Sequence, residues 1–88
     1  MMQYMYDFVG IYRVYEAAQR TADTRLNEYI TGLSIEDIRI IECAQYIGYH
    51  YIIEGSVSIE ADTQDAADKR FKERTKGMDI MIKRRIPV

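Results

Sequence analysis

The chain has 88 residues, of which 48% are hydrophobic, and a formal net charge of −2 at pH 7. Its single cysteine excludes an internal disulfide, no apolar run approaches the roughly 20 residues of a membrane span, and the first residues lack the basic region and cleavage site that are typical of a secretory signal. These features predict one small domain over residues 1–88, in a reducing cytoplasm, without a cofactor or a metal.

Charge is unevenly distributed along the chain. Residues 1–68 contain twelve acids and four bases, whereas residues 69–88 contain two acids and eight bases. An asymmetry of this kind is informative about partners and solubility rather than about fold.

Because a chain of this length buries only about 60–65% of its unfolded surface, we expect a second copy to add to its core.

The first two elements are predicted to form a β-hairpin. Residues 4–17 are rich in Tyr, Val and Ile at both odd and even positions, which predicts a strand that is covered on both faces. Residues 19–24 are typical of a turn, and residues 25–31 alternate as a second strand. We therefore expect a homodimer built through this hairpin or through the helix that follows it.

A helix is predicted from Ser34 to about Tyr46. Ser34 is a favourable N-cap, and Glu36 and Asp37 suit the positive end of a helix. Apolar residues recur at helical spacing at Ile35, Ile38 and Ile41.

Strand and helix then alternate to the end of the chain. Residues 47–60 carry apolar side chains at every second position and predict a strand. Residues 64–76 predict a helix capped by Thr63 or Asp62, and residues 78–86 predict a last strand. The predicted fold class is therefore α+β, in the order ββαβαβ, with two helices on an antiparallel or mixed sheet.

No residue pattern indicates catalysis. Catalysis by His50, the single histidine, would need a nucleophile or an orienting partner that the sequence does not offer. Cys43 lies between Glu42 and Ala44, without the positive charge that stabilises a thiolate, so we expect a buried thiol. Phosphate-binding loops, nucleophile elbows and metal motifs do not occur. We therefore expect a protein that is not an enzyme.

Two kinds of binding surface are consistent with the sequence. Glu28 and Glu42 are placed against local structural preference, as on a surface shaped for a cationic partner. The other surface is a platform for single-stranded nucleic acid, made of Tyr49, Tyr51, Lys83, Arg84 and Arg85. The alternation of residues 47–60 turns both tyrosines towards the core, and the acidic body repels phosphates, so tight nucleic-acid binding is not expected.

Part of the chain resembles a family of phage proteins. Residues Asp7 to Asp37 resemble, without a gap, the very small uracil-DNA glycosylase inhibitors of short-tailed Bacillus phages. The shared residues are "DFV" at 7–9, Tyr12, Val14, Gln19, "EY" at 28–29, "GLS" at 32–34 and Asp37. The resemblance implies a homodimer that imitates DNA, in which acidic groups replace phosphates and an apolar cleft captures the leucine that the glycosylase inserts into the duplex. It also implies that the hairpin and first helix match the first three elements of the family.

The inhibitory site implied by the resemblance is retained in part. The acid on the second strand of the family corresponds to Glu28. The aromatic wedge, acid and tyrosine on its helix correspond to Ile38, Arg39 and Glu42. The wedge is therefore still apolar, the acid is reversed in sign, and the tyrosine has become an acid.

Together these features predict a phage-type inhibitor of a host DNA-acting enzyme, with uracil-DNA glycosylase as the expected target. It would act by acidic DNA mimicry and an apolar contact. The predicted partner-binding residues are Glu28, Glu36, Asp37, Ile38, Ile41 and Glu42. The alternatives are an interaction module for another host protein, or a single-stranded nucleic-acid-binding protein that uses the tyrosines and the basic C-terminal third.

Overall fold

Six elements follow one another in the computed structural model, which describes residues 1–88. They are β1 (Met2–Val14), α1 (Gln19–Leu33), β2 (Asp37–Gln45), β3 (Tyr49–Ala61), α2 (Gln64–Arg74) and β4 (Asp79–Pro87). The strands form one antiparallel sheet in the order β2-β3-β1-β4. This arrangement is the split βαβ, or ferredoxin-like, topology. The prediction of an α+β domain with two helices on an antiparallel sheet is confirmed.

The predicted order ββαβαβ is wrong at its second and third elements. Residues 25–31, predicted as a strand, lie in α1, where Ala22, Leu26 and Leu33 are buried at helical spacing. Most of the helix predicted from Ser34 is strand β2. Ser34 itself is the C-cap of α1, with a left-handed φ of 55°. No N-terminal hairpin forms. The homodimer expected through this hairpin therefore has no hairpin to be built on. The same holds for the expected match between the hairpin and the first elements of the phage inhibitors.

Both helices pack on one face of the sheet. This face receives the even-numbered side chains of β1 and the odd-numbered side chains of β3. Phe71 of α2 stacks on Tyr6 of β1, with ring centroids 4.4 Å apart. The hydroxyl of Tyr6 donates to Asp68 at 2.7 Å, and that of Tyr51 donates to Asp23 of α1 at 2.5 Å. Burial and these carboxylates raise the pKa of both tyrosines.

The opposite face of the sheet, called the open face below, has no helix on it. It carries odd positions of β1 and even positions of β3, many of them half-buried by their neighbours. The edge strands β2 and β4 have eight exposed residues out of nine each. The molecule is elongated, with extents of 45 × 21 × 18 Å. Neither helix has the length and apolar composition of a membrane span.

The turn between β2 and β3 contains a strained residue. Ile47 has a φ of 48°, in the left-handed region, although its side chain is branched at Cβ. Its side chain is 75% exposed, so burial does not compensate for the strain. Gly48 follows with a φ of 100°, and a Cβ there would lie 2.5 Å from the carbonyl oxygen of Val14. The turn therefore requires glycine at residue 48 but gains nothing from isoleucine at residue 47.

Candidate protein-binding surface

The structure does not bring the six predicted binding residues onto one surface. Glu28 lies on the outer side of α1, beside the polar residues Thr24, Asn27 and Thr31. The other five lie in β2 or immediately before it. Glu28 therefore belongs to the helix layer, and it cannot share a flat contact with residues that point to the open face on the other side of the sheet.

The β2 residues divide between the two faces of the sheet. Asp37 pairs with Ser56, and Glu42 pairs with Ile52, which places both carboxylates on the open face. Ile38 points to the helix face, where it is half-buried against the core residues that lie beneath both helices. Ile41 lies in a β-bulge, because the pairing with β3 shifts between residues 40 and 42, and its side chain is 55% exposed.

Four residues remain together as an exposed group on one edge of the sheet. We call this group the acidic edge: Glu36, Asp37, Ile41 and Glu42. The six ion pairs of the structure include none of its three acids. Carboxylates without a basic partner beside an exposed isoleucine are suited to a cationic partner that also offers an apolar side chain.

A network of ion pairs lies at the centre of the open face. Ser56 donates to Asp7 at 2.5 Å, and the guanidinium of Arg84 lies 2.9 Å from the same carboxylate. These two donors hold the pKa of Asp7 below its usual value. Composition gave no signal for this network, because its residues are scattered over three strands.

A second carboxylate on the open face is held in the same way. Glu54 forms ion pairs with Arg39 of β2 and, at 3.4 Å, with Lys83 of β4. Both bases lower the pKa of Glu54. The two networks line a shallow groove of about 530 Å³. The bases paired with its two carboxylates favour their ionised form, which lowers the basicity of Asp7 and Glu54.

The remaining reactive side chains are isolated from one another. His50 pairs with Arg13 across β1 and β3, and its ring meets the edge of Tyr46 at a centroid distance of 6.4 Å. Cys43 was expected to be a buried thiol in a helix, but it is exposed in β2, because residues 37–45 form an edge strand. No group of three His, Cys, Asp or Glu side chains is placed to hold a metal ion.

The platform predicted for single-stranded nucleic acid does not form. Tyr49 and Tyr51 face the helices with 6% and 2% of their surface exposed, so they cannot stack on bases. This confirms that both tyrosines face the core. The three basic residues of the platform form ion pairs with carboxylates of neighbouring elements: Lys83 with Glu54, Arg84 with Asp7 and Arg85 with Asp68.

Comparisons with known proteins leave the family open. No protein-family model and no curated protein matches the chain. Among solved structures, the de novo designed protein Foldit4 is similar over 96% of each chain, with 12% sequence identity and a TM-score of 0.29. A similarity at this TM-score supports no inference about fold or function.

Proposed function

We propose that the chain is a small protein-binding module that engages a cationic partner through its acidic edge. The observation that carries this proposal is the state of β2, in which eight of nine residues are exposed and neither Asp37 nor Glu42 has a basic partner. An exposed edge strand also presents unpaired backbone groups, to which a partner strand can add. The same strand thus offers charge, backbone hydrogen bonds and an apolar side chain.

The three contributions act at different stages of binding. Carboxylates steer the encounter and accelerate association, most strongly at low ionic strength. Burial of Ile41 and pairing of the β2 backbone would then slow dissociation, since apolar burial contributes about 25 cal/mol per Å². Ile38 belongs partly to the core, so its contribution is to the stability of β2 rather than to contact.

We propose uracil-DNA glycosylase as the partner, with the chain acting as a phage-type inhibitor in the cytoplasm of the host cell. A DNA-binding groove is cationic, and carboxylates can occupy the positions of phosphates in it. The residues shared with the phage inhibitors and the acidic edge support this target. The alternative partner is another host protein with a cationic, apolar surface.

A uracil-excision assay tests the target and the site together. The wild-type protein is added in excess over the glycosylase, beside the variants Asp37→Lys and Glu42→Lys. The matched control is Glu28→Lys, which makes the same change of charge on the helix layer. We expect the two β2 variants to inhibit with slower association, most clearly at low salt, and the control to inhibit like the wild type.

The two parts of the proposal fail in different ways. If excess wild-type protein leaves uracil excision unchanged, the glycosylase is not the target. Capture of host proteins by the wild type and by Glu28→Lys, but not by Glu42→Lys, would then still support the binding module. If Glu28→Lys and Glu42→Lys are equally impaired against any captured partner, the acidic edge is the wrong site.

A further inference from the structure

The two edge strands of the sheet carry opposite charges. Strand β2 with the preceding Glu36 contains three acids and Arg39, which gives a net charge of −2. Strand β4 contains Asp79 and three bases, which gives +2. Both strands have nine residues, and the outer edge of each is unpaired. Each edge is therefore complementary in charge and equal in length to the other.

The directions of the two edges also fit one another. Every neighbouring pair in the order β2-β3-β1-β4 is antiparallel, so β2 and β4 run in opposite directions. When a second copy is placed beside the first in the plane of the sheet, its β2 lies antiparallel to β4 of the first. The helices of both copies then lie on the same face, and the antiparallel sheet continues without interruption.

Each edge strand has a bulge near its middle, and these bulges allow side chains of β2 and β4 that oppose each other to lie on the same face along the full length of both strands. The register of β2 shifts between Ile40 and Glu42, and that of β4 shifts at Lys83. A bulge adds one residue to a strand, so odd and even positions exchange faces of the sheet after it. Because both strands contain one bulge, residues that oppose each other on the same face before the bulges do so after them as well.

Charge selects one register from those that the bulges permit. With Glu42 opposite Lys83 of the next copy, no like charges oppose each other, and Cys43 lies opposite Ile82 on the helix face. A shift of two residues would instead place Arg39 opposite Arg84. Pairing of two β2 strands or of two β4 strands is disfavoured by repulsion between like net charges.

We propose that the chain associates with itself head to tail, β4 of one copy pairing with β2 of the next, with Glu42 opposite Lys83. Such a contact is heterologous and leaves a free edge at each end, so it builds chains rather than closed dimers. Four strands at about 4.8 Å give a rise of about 19 Å per copy. A twist of about 20–25° per strand rotates each copy by about 80–100°, or roughly four copies per turn.

Disulfide trapping tests the register. In Ile82→Cys, the new thiol lies opposite Cys43 of the next copy, with Cα atoms about 4.5–5.5 Å apart, which a disulfide can span. Mild oxidation should therefore yield a ladder of dimers, trimers and longer products on a denaturing gel. Ile80→Cys is the matched control, because residue 80 lies on the same face of β4 but opposite Gln45. Equal cross-linking of the two variants would overturn the register.

Charge exchange tests the association itself. Sedimentation of the wild type at low salt should show a weight-average mass that grows with protein concentration. Glu42→Lys should weaken this growth, and the double variant Glu42→Lys with Lys83→Glu should recover part of it, with circular dichroism confirming the fold of each. A wild type that stays monomeric at low salt and high concentration would overturn the proposal, as would a double variant no better than Glu42→Lys.

Discussion

Replacing Ile47 by asparagine is expected to stabilise the protein. A left-handed backbone brings the Cβ of an ordinary residue too close to the next carbonyl oxygen, at a cost of roughly 1–2 kcal/mol. Asparagine adopts this conformation more readily than isoleucine, which is branched at Cβ. Since the Ile47 side chain is 75% exposed, its removal forfeits little buried surface.

The expected gain in the free energy of unfolding is about 1 kcal/mol, the lower part of the strain cost, because asparagine keeps some of the penalty. For a domain of this size, 1 kcal/mol corresponds to an increase in Tm of about 4–8 °C. Thermal unfolding followed by circular dichroism, and urea unfolding followed by tyrosine fluorescence, would both measure it. The slope of the unfolding free energy against urea concentration should not change, since the substitution hardly alters the surface that becomes exposed on unfolding.

Tyr46→Asn is the matched control for the change in surface polarity. Tyr46 is 70% exposed and adjacent to Ile47, but its φ is not positive. Its replacement should change the free energy of unfolding by no more than about 0.5 kcal/mol. If Ile47→Asn were neutral or destabilising while Tyr46→Asn stayed within this range, the reasoning from backbone strain would be wrong.

Three further outcomes are expected from the packing and the ion pairs. Phe71→Ala should lower the free energy of unfolding by about 3–5 kcal/mol in urea titrations, because Phe71 is 1% exposed and packs on Tyr6. Burial raises the pKa of Tyr29 to about 12, so the folded state favours the neutral phenol. The stability that this residue contributes is present below pH 10, its ordinary pKa, and is lost as the pH rises towards 12. The free energy of unfolding of Tyr29→Phe should therefore depend less on pH in the alkaline range. Because the pKa of Asp7 is lowered in the folded state, its carboxylate stabilises the protein at pH values above the ordinary carboxyl pKa. This stabilisation is lost as the pH falls through the lowered pKa, so Asp7→Asn should flatten the acid side of the plot of unfolding free energy against pH.

The second half of the chain could be predicted from local signals because each element carries its own. Strand β3 alternates cleanly from residue 49 onwards, and α2 begins where Thr63 accepts a hydrogen bond from the backbone nitrogen of Ala66 at 3.2 Å. Strand β4 alternates up to its bulge. A period of two and a capping side chain are local properties, and here the tertiary structure agrees with them.

The second and third elements were misassigned because their local signals are ambiguous. Residues 25–31 alternate as a strand would, yet Ala22, Leu26 and Leu33 also follow the period of a helix, and the core favours the helix. Ser34 has the chemistry of an N-cap but occupies the left-handed position at the end of α1. The bulge at Ile41 breaks the alternation of β2, so this strand resembles a helix when read alone.

The candidate site was predictable only where charge alone determines it. Uncompensated acids at residues 36, 37 and 42 stand out in composition, and they do lie on one edge. Glu28 could not be placed correctly, because its position depended on the misassigned second element. The ion pairs of Asp7 and Glu54 join residues far apart in sequence, and only the strand order brings them together.

The separation of charge across the sheet gives the molecule a transverse electric dipole. Two net charges on each edge, with Glu36 counted together with β2, lie about 14 Å apart across three strand spacings and correspond to about 28 e·Å. This exceeds the macrodipole of a 15-residue helix, which is about 11 e·Å from half a charge at each end. A cationic partner within a Debye length of about 8 Å would therefore orient the molecule with β2 facing the partner before contact. Exchanging the charges of Glu42 and Lys83 leaves the net charge at −2 but cancels the edge charges, so orientation in the encounter would be lost while electrophoretic mobility stays the same.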